Sequence, residues 1–255
     1  PLEYAVHEGM IVYPIAQFIE LALRVDGLKA QYKTKAESYL KLIEDRILAK
    51  QERYWVQLAE DRGAYRSTAV AWERYPNRVL PHNQYLALGR AYLVLQAVSD
   101  NPLFRTRALE MAKFFEASLH VTGRAYTWSY WNWIEAGEAG SSGTEDTSHG
   151  HIDIEFVVEA WRRGVIFDDQ DMLGFARTLT DLMWNGSLSD PTVGSRVDRQ
   201  SGEGKTIRGW VELCRWDERI WDLHWALFNK LGRPGLDIPH LLHLREVIDG
   251  QDAYL

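Results

Sequence analysis

Cysteine is nearly missing from this chain of 255 residues, Cys214 being the only one. Its solitude excludes an intramolecular disulfide and any zinc site built on cysteine pairs. Flanked by Leu213, Arg215 and Trp216 in a helical stretch, Cys214 is also a poor candidate nucleophile. Long apolar runs are missing as well. The longest, Met10–Leu23, is broken by Pro14, Gln17 and Glu20 and is too short to span a bilayer. No block rich in Lys or Arg occurs, and 29 basic against 36 acidic residues leave a net charge of −7. A nucleic-acid partner or a membrane surface is therefore not expected. Also absent are a phosphate-binding glycine loop, a Gly-x-Ser-x-Gly elbow and a dinucleotide fingerprint. The chain starts at Pro1 without a Met, so a processed protein is expected, with a secreted or periplasmic setting favoured.

What the chain has in excess is aromatic side chains: 11 Trp, 12 Tyr and 8 Phe. The rest of the pattern is helical. Apolar stretches (Met10–Val25, His82–Val98, Ile152–Trp161) alternate with charged amphipathic ones (Leu28–Ala49, Leu103–Leu119, Asp168–Trp184), and Trp210–Leu231 and His240–Ile248 close the series. An inner apolar helix followed by an outer charged one, repeated, predicts helical hairpins around a common axis. The inner helices start at His7-Glu8-Gly9, His82-Asn83, His149-Gly150 and Gly209-Trp210, at loosely regular intervals. Equivalent ends of such helices converge at one mouth. No stretch shows sustained two-residue alternation, so any strands are expected as short hairpins inside loops. One domain over residues 1–255 is expected.

Three long connections interrupt the helices: Tyr54–Pro81, Thr122–Ser148 and Gly186–Arg208. Connections of this length inside a domain usually carry function. The first two hold Trp55, Trp72, Trp128, Trp131 and Trp133, and Trp210 stands at an inner-helix start, so these rings are expected to line a cleft. Trp161, Trp184, Trp216, Trp221 and Trp225 lie on helices and are expected to pack in the core.

The densest chemistry lies in Thr144-Glu145-Asp146-Thr147-Ser148-His149-Gly150-His151-Ile152-Asp153-Ile154-Glu155. Thr147 or Ser148 is expected to cap the helix that follows. Four-residue spacing puts His149 and Asp153 on one face and His151 and Glu155 on another. A histidine with carboxylates to orient it is a general base or acid. His-x-His-x-Asp also offers metal ligands, but lacks the further histidine that would make the spacing specific. A cofactor is not indicated, and neither is a bound divalent cation. Pro81-His82-Asn83 places a base or acid beside a neutral hydrogen-bond donor. Tyr126-Thr127-Trp128-Ser129-Tyr130-Trp131 alternates rings with small polar residues, as a short strand would.

The alternating helix pairs, the aromatic loops, His82-Asn83 and Glu145-Asp146-Thr147-Ser148-His149-Gly150 resemble the (α/α)-toroid carbohydrate-active enzymes. These comprise the six-hairpin glycosidases, the alginate-lyase-like polysaccharide lyases and the helical domain of uronyl C5-epimerases. The resemblance implies an all-α fold, an (α/α) toroid of antiparallel helical hairpins, here incomplete because fewer hairpins are counted than such toroids carry. It implies a polysaccharide or oligosaccharide substrate and, in the lyases, removal of the C5 proton of a uronic acid. On that pattern His149 is a candidate base, and His82 with Asn83 matches the pair that neutralises the carboxylate. Tyr130 is placed by chemistry as the phenol that protonates the leaving oxygen, and Arg124 or Arg208 would bind the carboxylate. Tyr126, Trp128, Trp131, Trp210 and His7 would contact the sugar. Two other readings are a glycoside hydrolase of the same fold using Glu145, Asp146 and Asp153, and a non-catalytic glycan-binding domain.

Overall fold

The computed structural model describes residues 5–68, 76–135, 138–204, 207–231 and 238–249; Trp72 lies outside them. The elements run α1 (Ala5–Arg24), α2 (Asp26–Leu42), α3 (Ala49–Gln51), β1 (Trp55–Ala59), β2 (Arg62–Tyr65), α4 (His82–Leu95), α5 (Pro102–Glu116), β3 (His120–Thr122), β4 (Ala125–Thr127), β5 (Asn132–Glu135), β6 (Glu138–Ser141), α6 (Thr147–Arg162), α7 (Asp169–Arg177), α8 (Arg219–Leu231) and α9 (Ile238–Ile248). Helices dominate, as the alternating pattern requires. The expectation of a purely α-helical fold is corrected by three antiparallel hairpins, β1–β2, β3–β4 and β5–β6. They occupy the long connections Tyr54–Pro81 and Thr122–Ser148. There the backbone pairs locally, because a chain without helix still has to satisfy its N–H and C=O groups. The glycine-rich 137–143 stretch contributes β6, and Gly140 sits flat under Trp133 across the hairpin.

The chain forms two compact units built from interleaved segments. In the first, residues 1–118, 131–142 and 162–166 gather around α4. Every residue of α4 except Gln84 is buried, matching its all-round apolar sequence. Gly9 of α1 crosses α4 so closely that an added Cβ would lie 2.3 Å from the Ala87 carbonyl carbon. The other apolar stretch behaves differently. Met10–Val25 is expected to be enclosed on most sides, yet α1 buries only the stripe Ala5, Gly9, Val12, Ala16, Ile19 and Ala22, and leaves Ile11 and Leu21 exposed. α5 starts where Asn101 accepts from Leu103 N at 3.1 Å, with Pro102 in the first turn.

The second unit takes residues 119–130, 143–161 and 167–255. Its central helix is α6. Ahead of α7, Asp168 accepts from the amides of Gln170 and Asp171 while Asp171 accepts from the Asp168 amide, a reciprocal capping box. The expected helix Trp210–Leu231 is broken in two. Arg208–Arg215 is a 3-10 helix, and α8 restarts at Arg219, whose amide donates to Asp217 at 3.1 Å. Asp217 competes with the helix backbone for that amide, which splits one apolar run into two elements.

Candidate functional site

The site lies in the second unit at the start of α6. Residues 143–146 run extended between two neighbours: Tyr130 N donates to Gly143 O, Glu145 N to Trp128 O and Val197 N to Glu145 O, at 2.9–3.0 Å. Successive side chains in an extended strip face opposite ways. Glu145 therefore turns inward and is fully buried, while Asp146 turns toward solvent. Asp146, rather than the expected Thr147 or Ser148, caps α6. Its Oδ1 accepts from the amides of Ser148 and His149, both at 2.9 Å, and from Ser148 Oγ at 2.6 Å. A carboxylate serves better than a hydroxyl here because it also meets the positive end of the helix dipole. Thr147 instead donates its hydroxyl to Gly194 O at 2.6 Å.

The second oxygen of Asp146 accepts from His149 Nδ1 at 2.5 Å. That bond fixes the imidazole tautomer and leaves Nε2 as the basic nitrogen. The hydrogen bond to Asp146 raises the pKa of His149 above its ordinary 6.5, against partial burial. Burial pushes the Asp146 carboxyl up, but the bonds from His149 and Ser148 prevail and hold it well below the usual carboxylate range. His149 is about half exposed, and the Tyr130 ring lies beside it with centroids 5.2 Å apart.

Beneath this surface pair lies a second carboxyl pair. Glu145 and Asp153 are both wholly buried, and crowding two carboxyls together away from water favours their protonated forms. Asp146 N donates to Glu145 Oε1 at 2.7 Å and Trp128 Nε1 to Asp153 Oδ2 at 2.9 Å. Among the described residues no hydrogen-bond partner reaches Glu145 Oε2 or Asp153 Oδ1. Burial first, and for Glu145 the neighbouring Asp153 charge, raise both carboxyls above their ordinary values. Trp128 stacks on Trp210 at 6.0 Å, and both indoles press on Gly150, where a Cβ would crowd Glu145 Cγ at 3.3 Å. Ligand atoms of Glu145, Asp146 and His149 come within 4.8 Å of one another. The Asp146 oxygens are already engaged by the helix cap and the imidazole, so the donor set reads as a hydrogen-bonded network rather than a cation cage.

Of the residues expected to act, Glu145, Asp146, His149 and Tyr130 come together. Arg208 is exposed beside α6, since a Cβ on its neighbour Gly209 would lie 2.6 Å from His151 O. Arg124 is exposed at the β3–β4 turn. Several expectations are corrected. Trp128, Trp131 and Trp210 are buried at 1%, 7% and 0% exposure, so they are core and present no ring face to a sugar. Trp131 donates its indole N–H to Val79 O at 2.6 Å. Tyr126 commits its hydroxyl to Asp171 at 2.9 Å and packs on Phe175 and Gly174. Glu145 cannot touch a substrate from its enclosed position.

His82, Asn83, Trp131 and His7 belong to the first unit. His82 is buried against Phe114 and Phe115, bonded through Nδ1 to the Tyr85 hydroxyl and through Nε2 to Asn132 Oδ1 at 2.8 Å. Burial lowers its pKa to about 4, so it is neutral and structural at pH 7. Asn83 is buried with it, and His7 is exposed on α1. Asp153 is the site residue given least weight from sequence. Its spacing from His149, the His-x-His-x-Asp pattern and the hydrolase reading point to it, and none of them to a buried neighbour of Glu145. Searches against protein-family models, curated proteins and solved structures return no match to this chain.

Proposed function

We propose that this protein is a carbohydrate-active enzyme that abstracts the C5 proton of a uronic acid in a polysaccharide, as a lyase or an epimerase. The observation that carries this reading is the Asp146–His149 dyad, half exposed at a helix start with the Tyr130 ring beside it. His149 Nε2 takes the C5 proton. The electron pair of that bond forms the C4–C5 double bond as the C4–O bond breaks, and the Tyr130 hydroxyl protonates the departing oxygen. In the epimerase variant no bond to oxygen breaks, and a proton returns to C5 from the opposite face. Arg208, whose neighbour Gly209 packs on α6, would neutralise the uronate carboxylate, which is what makes the C5 proton acidic. The reading carries with it membership of the (α/α)-toroid group and a single toroidal domain over residues 1–255.

The hydrolase alternative needs an exposed acid and base. Glu145 and Asp153 are enclosed and Asp146 is engaged on both oxygens, so the proton-abstraction reading is preferred. The test is to incubate the protein with glucuronan, alginate and related uronans. The double bond is followed by ultraviolet absorbance, and C5 inversion by proton exchange from deuterated water. His149→Ala should lower turnover by about 10²–10⁴-fold. Asp146→Asn should move the rise of the pH–rate profile to lower pH, because the raised pKa of His149 depends on that carboxylate. Reducing ends without unsaturation would favour the hydrolase, and glycan binding indifferent to His149→Ala, without turnover, would favour a binding module.

A further inference from the structure

Two of the five tryptophans that sequence position assigns to the core, Trp161 and Trp216, are only half-buried. Together with Asp169, Gln170, Leu173, Arg215 and Ile248 they line a groove of about 640 Å³ within the second unit. That volume is inside the range of roughly 300–1,000 Å³ typical of small-molecule sites. The groove is separate from the Asp146–His149 dyad. Trp161 and His149 lie at opposite ends of the same helix, twelve residues apart, which at 1.5 Å per residue is about 18 Å.

The indoles meet edge to face, with centroids 4.7 Å apart and planes at 87°. Both indole N–H groups donate to the same oxygen, Asp169 Oδ1, at 2.9 and 3.0 Å. This arrangement fixes the two rings as a rigid corner and orients the Asp169 carboxylate, whose Oδ2 accepts from none of the described residues. The wall is completed by the exposed Gln170 amide and the Arg215 guanidinium. Flat apolar ring surface beside planar carboxylate, amide and guanidinium groups is the complement of a pyranose. Its C–H face stacks on an indole, while its vicinal hydroxyls pair two at a time with fork-shaped polar groups. A purely aromatic ligand would use the rings and leave Asp169 Oδ2 and the Gln170 amide unused. A polyanion would meet Asp169, and a simple cation would meet Arg215.

We propose that this groove is a saccharide-binding site for neutral sugar units, distinct from the candidate catalytic site at the other end of α6. It holds a glycan without transforming it. The geometry of the groove supports it independently of the proton-abstraction reading.

The full chain is titrated with neutral hexasaccharides of glucose, mannose, galactose and N-acetylglucosamine, following tryptophan fluorescence and heat of binding. At least one should bind in the micromolar to millimolar range with a change in indole emission. Trp216→Ala should weaken that binding by tenfold or more, and Gln170→Ala by several-fold. Gln170 is an exposed residue whose removal leaves the core untouched, so it decides the matter if Trp216→Ala does not fold. His149→Ala should bind with unchanged affinity. The proposal is overturned if no hexasaccharide binds at millimolar concentration. It is equally overturned if binding survives Gln170→Ala and Trp216→Ala but is lost in His149→Ala, which would place the glycan at the dyad.

Discussion

Two neighbouring carboxylates, Glu145 and Asp146, show how far environment outweighs residue type. One peptide bond apart, they are driven in opposite directions. Burial beside Asp153 raises the first, while bonds from His149 and Ser148 keep the second ionised. The inner pair has a consequence for stability. Glu145 and Asp153 titrate higher in the folded protein than their ordinary values of 4.5 and 3.8. From about pH 4 upward the unfolded chain has already released protons that the native pair retains, so stability falls as pH rises through the native titration. Glu145→Gln, which retains a hydrogen-bond donor but has no charge to desolvate, should flatten that fall. Urea unfolding at a series of pH values, wild type against variant, reads the slope; equal slopes would refute the raised titration of the pair. The Thr144–Glu155 cluster was legible as chemistry in sequence because its residue types are dense. Which carboxylate faces solvent was not, because that depends on the strip of hydrogen bonds to Trp128 and Val197.

At the scale of elements, periodicity predicted the existence of nearly every helix, and tertiary contact decided how much of each is enclosed. α4 and the apolar stretch of α1 read alike, yet α4 is surrounded and α1 shows one face to solvent. Composition reports what an element tolerates, and the number of neighbours it meets is a property of the packing. The α1–α4 crossing rests on the absence of a side chain at Gly9. Gly9→Ala places a Cβ 2.3 Å from backbone atoms of Ala87 that cannot rotate away. Overpacking of this kind should destabilise the protein by about 3 kcal/mol, measured by chemical denaturation. Gly27→Ala, with nothing within 4 Å, should cost far less and serves as the control. Local chemistry also overrode period. Asp217 drew an amide out of the expected helix Trp210–Leu231, and the short hairpins anticipated inside loops depart from a strictly all-α fold.

For the whole molecule the governing quantity is a net charge of −7. On the proposed reading the substrate is a polyanion, so long-range repulsion would oppose encounter and Arg208 would act only at short range. Salt shortens the Debye length from about 30 Å at 0.01 M to about 8 Å at 0.15 M. Turnover of a uronan at limiting concentration should therefore rise over that interval, and turnover of a neutral glycan should not; a fall with salt would indicate that local basic charge dominates. The tryptophan excess is the other property of the whole chain, and structure reversed the assignment of five rings, while Trp184 is core as expected. Trp128, Trp131 and Trp210, from loops and an inner-helix start, are core, while the helical Trp161 and Trp216 open onto a groove. Sequence alone determined that the chain is mainly helical, has no cysteine pair and no Lys/Arg-rich block, and concentrates acid–base groups before α6. Those properties follow from composition, spacing and the local rules of capping. Only tertiary structure decided which rings are covered, that His82 is a buried neutral residue, and that Glu145 and Asp153 are enclosed together. Burial and pairing arise between residues distant in sequence, and no local pattern records how many neighbours a side chain meets.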